Sequence, residues 1–309
     1  MKTRNATTTR GSAVFLALAI CATIWATAWA AISTANAQPI TVGRYTSPAK
    51  SFSTNSYWVA GKESTVLIDL QFLPNEALTA LEVAERASLL KVTHGIVLHP
   101  NPDKFNGTAT LQQRGVKVLT SAQVAKEIPA VHTIRLGWFA DEYKPHYPQT
   151  AAVPSVFGHA SQTVNLGGLD IKLHVLGRGC SVAHVVAQVD DAVFVGDLIN
   201  PENHAWLELG LIDDWLARLE EIRALNPKRI FPGRGAPGGI ELINKQVQYL
   251  QYVQNAVRAE KPSGKLGWFA KQRLQRNIEQ QFPNLGYAIF MRDGLAAVWA
   301  MEAAKLVSG

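Results

Sequence analysis

His99, Asn101, Asp103 and Lys104 crowd into the run Val97-Leu98-His99-Pro100-Asn101-Pro102-Asp103-Lys104-Phe105-Asn106-Gly107. An imidazole, an amide, a carboxylate and an ammonium this close could ligate a metal, hold an anion or move a proton. The apolar residues just before them, Gly95 to Leu98, read as a buried strand that the two prolines terminate. Polar groups at the C-terminal end of a buried strand face a crevice, where layered α/β folds build their sites. Three later stretches carry similar chemistry: Gly177-Arg178-Gly179-Cys180-Ser181-Val182-Ala183-His184, then Val195-Gly196-Asp197-Leu198, then Pro232-Gly233-Arg234-Gly235. The chain has no Gly-x-Ser-x-Gly elbow or phosphate loop.

The elements that must position these groups follow from periodicity. Ile40–Tyr45 reads as a first strand, and Ser56–Ala60 with Ser64–Asp69 as a hairpin about Gly61-Lys62-Glu63. Pro74–Ala87 is expected as a helix with proline at its start. The strand Val92–Leu98, a helix over Gly107–Arg114 and a strand over Val116–Leu119 come next. Ser121 is placed to cap a helix over Ala122–Ile128. Residues 129–160 are rich in aromatics and less regular, and read equally as a pocket wall or as a peripheral helix. Strands over Gln162–Leu166 and Leu169–Leu176 precede a hairpin, Val185–Val189 with Ala192–Val195. A helix over Leu211–Leu225, a strand over Arg229–Phe231 and helices over Gly239–Glu260, 265–281 and 293–306 complete the chain. Periodicity alone places this order in α/β or α+β.

Residues 1–37 are of a different kind. Lys2, Arg4 and Arg10 precede an apolar stretch from Ala13 to Ile32, and Ala35-Asn36-Ala37 offers small residues for cleavage. This is the order of a secretory signal peptide, with export to a bacterial periplasm expected and an uncleaved N-terminal anchor as the alternative. Residues 38–309 then form one domain, with a C-terminal helical extension from about 262 to 309. Losing the three basic residues takes the formal charge from +6 to +3, too mild for a nucleic-acid partner. No membrane contact is expected after cleavage. Cys180 is the sole cysteine of residues 38–309, so no disulfide framework exists there.

Together the four polar stretches resemble motifs of the metallo-β-lactamase superfamily, in the same order and over about residues 40–255. His99-x-Asn101-x-Asp103-Lys104 resembles its His-x-His-x-Asp-His loop, which holds zinc. Gly177–His184 resembles its Gly-x-Gly-His-Thr-x-Gly-His turn, with Cys180 in place of a metal-binding histidine. Asp197 falls on the metal-bridging carboxylate, and Arg234 on the last histidine ligand. The resemblance implies an α+β fold, a four-layer αββα sandwich of two mixed sheets packed face to face with helices outside.

Carried over by position, a first metal would meet His99, Cys180 and Asp197, with Asn101 as a poor fourth group. A second would meet Asp103, Lys104, Asp197 and Arg234. Arginine is never deprotonated in a protein and a charged lysine has no lone pair. Lys104 and Arg234 are therefore expected to replace the second ion, supplying its two positive charges to Asp103 and Asp197. One zinc or iron ion at the first position, or no metal at all, remains open. The resemblance implies an exported hydrolase-like protein acting on a small substrate, anionic if the two cations face it. Asp103, Lys104 and Arg234 are then the catalytic candidates, and Asn101, His184, His204 and Trp206 the substrate-binding ones. The alternative is a metal-free binding protein without turnover.

Overall fold

Membership of two separate apolar clusters alternates along two central strands and so assigns their faces. In β9 (His184–Val189), Val185, Ala187 and Val189 join one apolar cluster while Val186 joins another. In β10 (Ala192–Gly196), Phe194 sides with the first cluster, and Val193 and Val195 with the second. A sheet buried on both faces must lie between two layers. The computed structural model describes residues 40–308, together with Met1. The expected signal peptide thus lies outside the described residues.

One sheet has six strands in sequential order. They are β1 (Thr41–Thr46), β2 (Asn55–Ala60), β3 (Thr65–Ile68), β4 (Val92–Ile96), β5 (Lys117–Thr120) and β6 (Ser155–Val156). The β1–β2 and β2–β3 pairs are antiparallel, and the pairs from β3 to β6 are parallel. The second sheet runs β11-β10-β9-β8-β7, with β7 (Gln162–Leu166), β8 (Leu169–Leu176) and β11 (Arg229–Pro232). Only its β10–β11 pair is parallel.

The core between the sheets joins Val59, Leu67 and Ile96 to Ile171, Val185 and Phe194. Each such side chain, fully buried, contributes about 1.5–3 kcal/mol. Helix α1 (Pro74–Ser88) adds Ala77, Leu81 and Ala84 to this cluster, and α3 (Thr108–Gln113), which follows the single-turn α2 (Pro102–Phe105), adds Leu111. Behind the second sheet, α5 (Ile212–Ala224), α6 (Glu241–Ala259), α7 (Trp268–Gln281) and α8 (Ala288–Ser308) enclose the other cluster. The layers are helix, sheet, sheet, helix. Residues of α7 and α8, including Leu274, Ile278, Leu295 and Val298, are fully buried in that outer layer. No helix among the described residues is long and apolar enough to cross a membrane.

Two elements depart from expectation, and the first is β6, since no strand was expected within residues 129–160. The helix capped by Ser121, α4, runs to Phe139 and passes through Pro129, where a break was expected. An interior proline removes a hydrogen bond and costs about 3 kcal/mol in an isolated helix. Here Ile128, His132 and Arg135 are buried on one face, and that packing carries the helix past the proline. The Ser121 hydroxyl accepts the Val124 N–H at 3.2 Å. Ser121→Ala is expected to lower stability by about 1 kcal/mol, read as a shift in the urea midpoint at unchanged slope.

Candidate functional site

The polar groups converge because the ends of β3, β4, β10 and β11 lie at one edge. The backbone N–H of Val185 donates to Leu98 O at 2.6 Å, tying β9 to the end of β4. Tyr57 donates its hydroxyl to Pro232 O at 2.9 Å, tying β2 to β11. Gly196 has φ +54°, a conformation that favours glycine, and it bends the chain so that Asp197 turns inward. Gly233 is required by space: a Cβ there would sit 2.2 Å from Asp197 Oδ1 and 2.9 Å from Lys104 Nζ.

At this edge two carboxylates and two cations form a closed quartet. Lys104 Nζ lies 2.8 Å from Asp103 Oδ2 and 2.9 Å from Asp197 Oδ1. Arg234 donates to Asp103 Oδ2 at 2.6 Å and to Asp197 Oδ2 at 2.5 Å, and its Nε–H donates to Phe52 O at 2.9 Å. None of the four is more than 5% exposed. Burial alone would drive both carboxylates towards the neutral form. Lys104 and Arg234 outweigh it and hold Asp103 and Asp197 below the ordinary 3.8. Conversely, burial opposes the charge on Lys104, and the two aspartates overcome it and raise its pKa. The quartet is neutral as it stands.

Beside it lie His99, Cys180 and His184. Burial takes the His99 imidazole down to about 3 and His184 to about 4, so both are neutral. Burial also pushes the Cys180 thiol well above its ordinary value. His99 Nδ1 meets Ser181 Oγ at 3.1 Å, and its Nε2 accepts the Asp197 N–H at 3.4 Å. His184 donates from Nδ1 to Gly177 O at 2.9 Å, while its Nε2 accepts the Ser181 N–H at 3.3 Å and faces Cys180 Sγ at 3.2 Å.

A cleft opens onto the quartet. Asp103, Asp197 and Arg234 reach it, as do Asn101 and Trp206. Its walls are aromatic: besides Trp206 they comprise Phe52, Phe72, Phe139 and Phe290. Phe290 lies 5.0 Å from Trp206, and the Arg234 guanidinium sits 5.3 Å from its ring centre.

Two of the expected substrate contacts, His184 and His204, lie off this cleft. His184 is 1% exposed and its ring nitrogens are engaged behind Cys180, so it does not line the cleft. His204 is likewise buried, with Nδ1 at 3.0 Å from the Tyr249 hydroxyl, and also stays off the cleft. The expected ligands His99 and Cys180 lie together, with His184 rather than Asp197 beside them. His99, Cys180 and His184 bring donor atoms within 4.8 Å of one another, whereas both oxygens of Asp197 are engaged by Lys104 and Arg234.

Several site residues were not singled out from sequence. Asp69, in the left-handed region with φ +60°, accepts the Leu98 N–H at 3.0 Å, and burial pushes its carboxyl up to about 8. Its signal was available: like His99, it closes an apolar strand. Phe52, Phe290 and Arg135 come from distant segments, and no local pattern marks them.

Two mixed sheets face to face, with a polar site at the strand ends, define a metallo-β-lactamase-type sandwich. Residues 50–234 match the Metallo-beta-lactamase superfamily, and the chain belongs to it. Among solved structures, a metallo-beta-lactamase from Pontibacter korlensis is 20% identical. The match covers 69% of this chain and 94% of that one, with a TM-score of 0.52. The metallo-beta-lactamase FIM-1 from Pseudomonas aeruginosa, solved in a mono-zinc form, is 16% identical over 69% of this chain and 90% of its own, with a TM-score of 0.52. TMB-1 is 16% identical over 70% and 94%, with a TM-score of 0.53. These identities bear on the fold alone.

The residues present do not fit the two-ion centre that the superfamily implies. Where a second ion would meet Asp103 and Asp197, Lys104 Nζ and the Arg234 guanidinium stand within 2.5–2.9 Å of their oxygens. A dication added there would leave two uncompensated positive charges in a dry site. The trio of His99, Cys180 and His184 has donor types that suit zinc, but none of the three lines the cleft. A catalytic ion keeps an open position for water or substrate.

Proposed function

We propose that this chain is a metal-free, small-molecule-binding member of its superfamily, in which Lys104 and Arg234 take the place of metal ions. The observation that carries this reading is the neutral buried quartet with Asp103. General bases work best with a pKa near the operating pH, and Asp103 is held low. His99 is neutral but fully buried, away from the cleft. The expectation of an anionic ligand loses its support, because both cations are already matched by carboxylates. The order of residues 1–37 supports export.

The test is metal content together with turnover. Protein purified without an affinity tag is expected to carry less than about a tenth of an equivalent of zinc or iron. It is expected to show no chelator-sensitive hydrolysis of lactam, ester or phosphodiester substrates. A stoichiometric ion with chelator-sensitive turnover lost on Cys180→Ala would instead establish a single-metal hydrolase.

A further inference from the structure

The chemistry of the cleft narrows what it can hold. Its aromatic walls meet one another edge-on or tilted: Phe52 lies 4.9 Å from Phe72 and 6.0 Å from Phe290, and Phe72 lies 5.1 Å from Phe139. Such a box favours a flat ring, which gains offset and edge contacts on several sides. Arg135 also reaches the cleft, but Glu208 takes it in a two-pronged ion pair, and its guanidinium packs on Trp138 at 4.1 Å. Every cation at the cleft or in the quartet beneath it thus has a carboxylate partner within the protein. An incoming carboxylate would have to break one of these pairs or stay unpaired in a largely apolar box, and either is unfavourable.

The floor does keep room for one polar group. Asp103 takes Thr54, Lys104 and Arg234 all on Oδ2. Its Oδ1 accepts no hydrogen bond from the described residues. Arg234 has five N–H groups, of which three are used, on Nε, NH1 and NH2. An acceptor beside a donor matches a hydroxyl, which donates to one and accepts from the other.

We infer that the cleft takes an uncharged aromatic molecule bearing a hydroxyl, with its ring against the phenylalanine walls and its hydroxyl on Asp103 Oδ1 and Arg234. This deepens the binding reading above and rests on it. The charge of the ligand is decided by the ion pairs, and its shape by the rings.

The probes are 2-naphthol, naphthalene and 2-naphthoate, titrated calorimetrically into the full chain at pH 7. 2-Naphthol is expected to bind at least about tenfold more tightly than 2-naphthoate, and several-fold more tightly than naphthalene. Phe290→Ala, with its melting curve recorded alongside, is expected to weaken 2-naphthol binding by about tenfold. Equal or tighter binding of 2-naphthoate would overturn the inference. So would indifference of a folded Phe290→Ala protein, or absence of binding by all three probes. None of these outcomes alters the metal content, so failure of this inference and failure of the metal-free reading are separately visible.

Discussion

Arg234→Met lowers the stability of the fold by about 3–5 kcal/mol at pH 7.5, measured by urea unfolding. Methionine keeps much of the volume, so the loss is electrostatic. Removing the guanidinium strips Asp197 Oδ2 and Asp103 Oδ2 of their shortest donors and leaves two carboxylates facing one ammonium. A broken buried pair costs far more than an intact one contributes, because the remaining charge has no water to turn to.

The pH dependence has a definite sign. In the native protein both aspartates have pKa values below the ordinary 3.8. Their contribution is therefore fully present above about pH 4 and is lost as pH falls through their folded values. In Arg234→Met, one carboxylate has like charge beside it and burial around it, so its folded pKa rises above the unfolded one. It is then relieved by taking a proton, and the penalty shrinks as pH drops from 7.5 towards 4.5. A penalty that stays constant across this range, or one under about 1 kcal/mol, would mean that the quartet does not carry the charge balance assigned to it.

The double variant Lys104→His/Arg234→His gains zinc, rising from less than about a tenth to about one equivalent by elemental analysis. Each substitution exchanges an obligate cation for a neutral nitrogen donor beside Asp103 and Asp197, whose oxygens now meet Lys104 and Arg234 within 2.5–2.9 Å. Two positive charges leave, and a dication restores them. Zinc at about a hundredfold excess over its dissociation constant adds about 2.7 kcal/mol to the variant's stability and leaves the parent unchanged. A folded double variant that takes up no zinc would show that more than these two side chains keeps metal out.

Much of this was legible in the sequence. The strand before His99, the Gly196-Asp197 turn and the Pro232–Gly235 turn are local signals, since apolar runs ending in Gly, Pro and charged residues mark strand ends. The chemical identities of Lys104 and Arg234 sufficed to exclude them as ligands, because protonation is a property of the side chain. The helix through Pro129 was not legible. Local propensity stops a helix there, and only burial of its face against the rest of the fold overrides that preference.

The roles of the histidines diverged for a related reason. His184 and His204 sit in polar stretches near the site, but which way a ring faces depends on strand register and on partners far along the chain, such as Tyr249. The aromatic cleft is also a tertiary product. Phe52, Phe139, Trp206 and Phe290 come from four segments, and no spacing relates them.

By itself the sequence determined the superfamily, most of the strands and the charge types at the site, because these reside in local pattern and in the side chains' own chemistry. Tertiary structure alone decided that the four charged groups neutralise one another, that His184 and His204 turn away, and that the cleft beside them is aromatic. Those outcomes depend on distance and burial, which set the strength of every charge interaction and emerge only when separate strand ends meet at one edge.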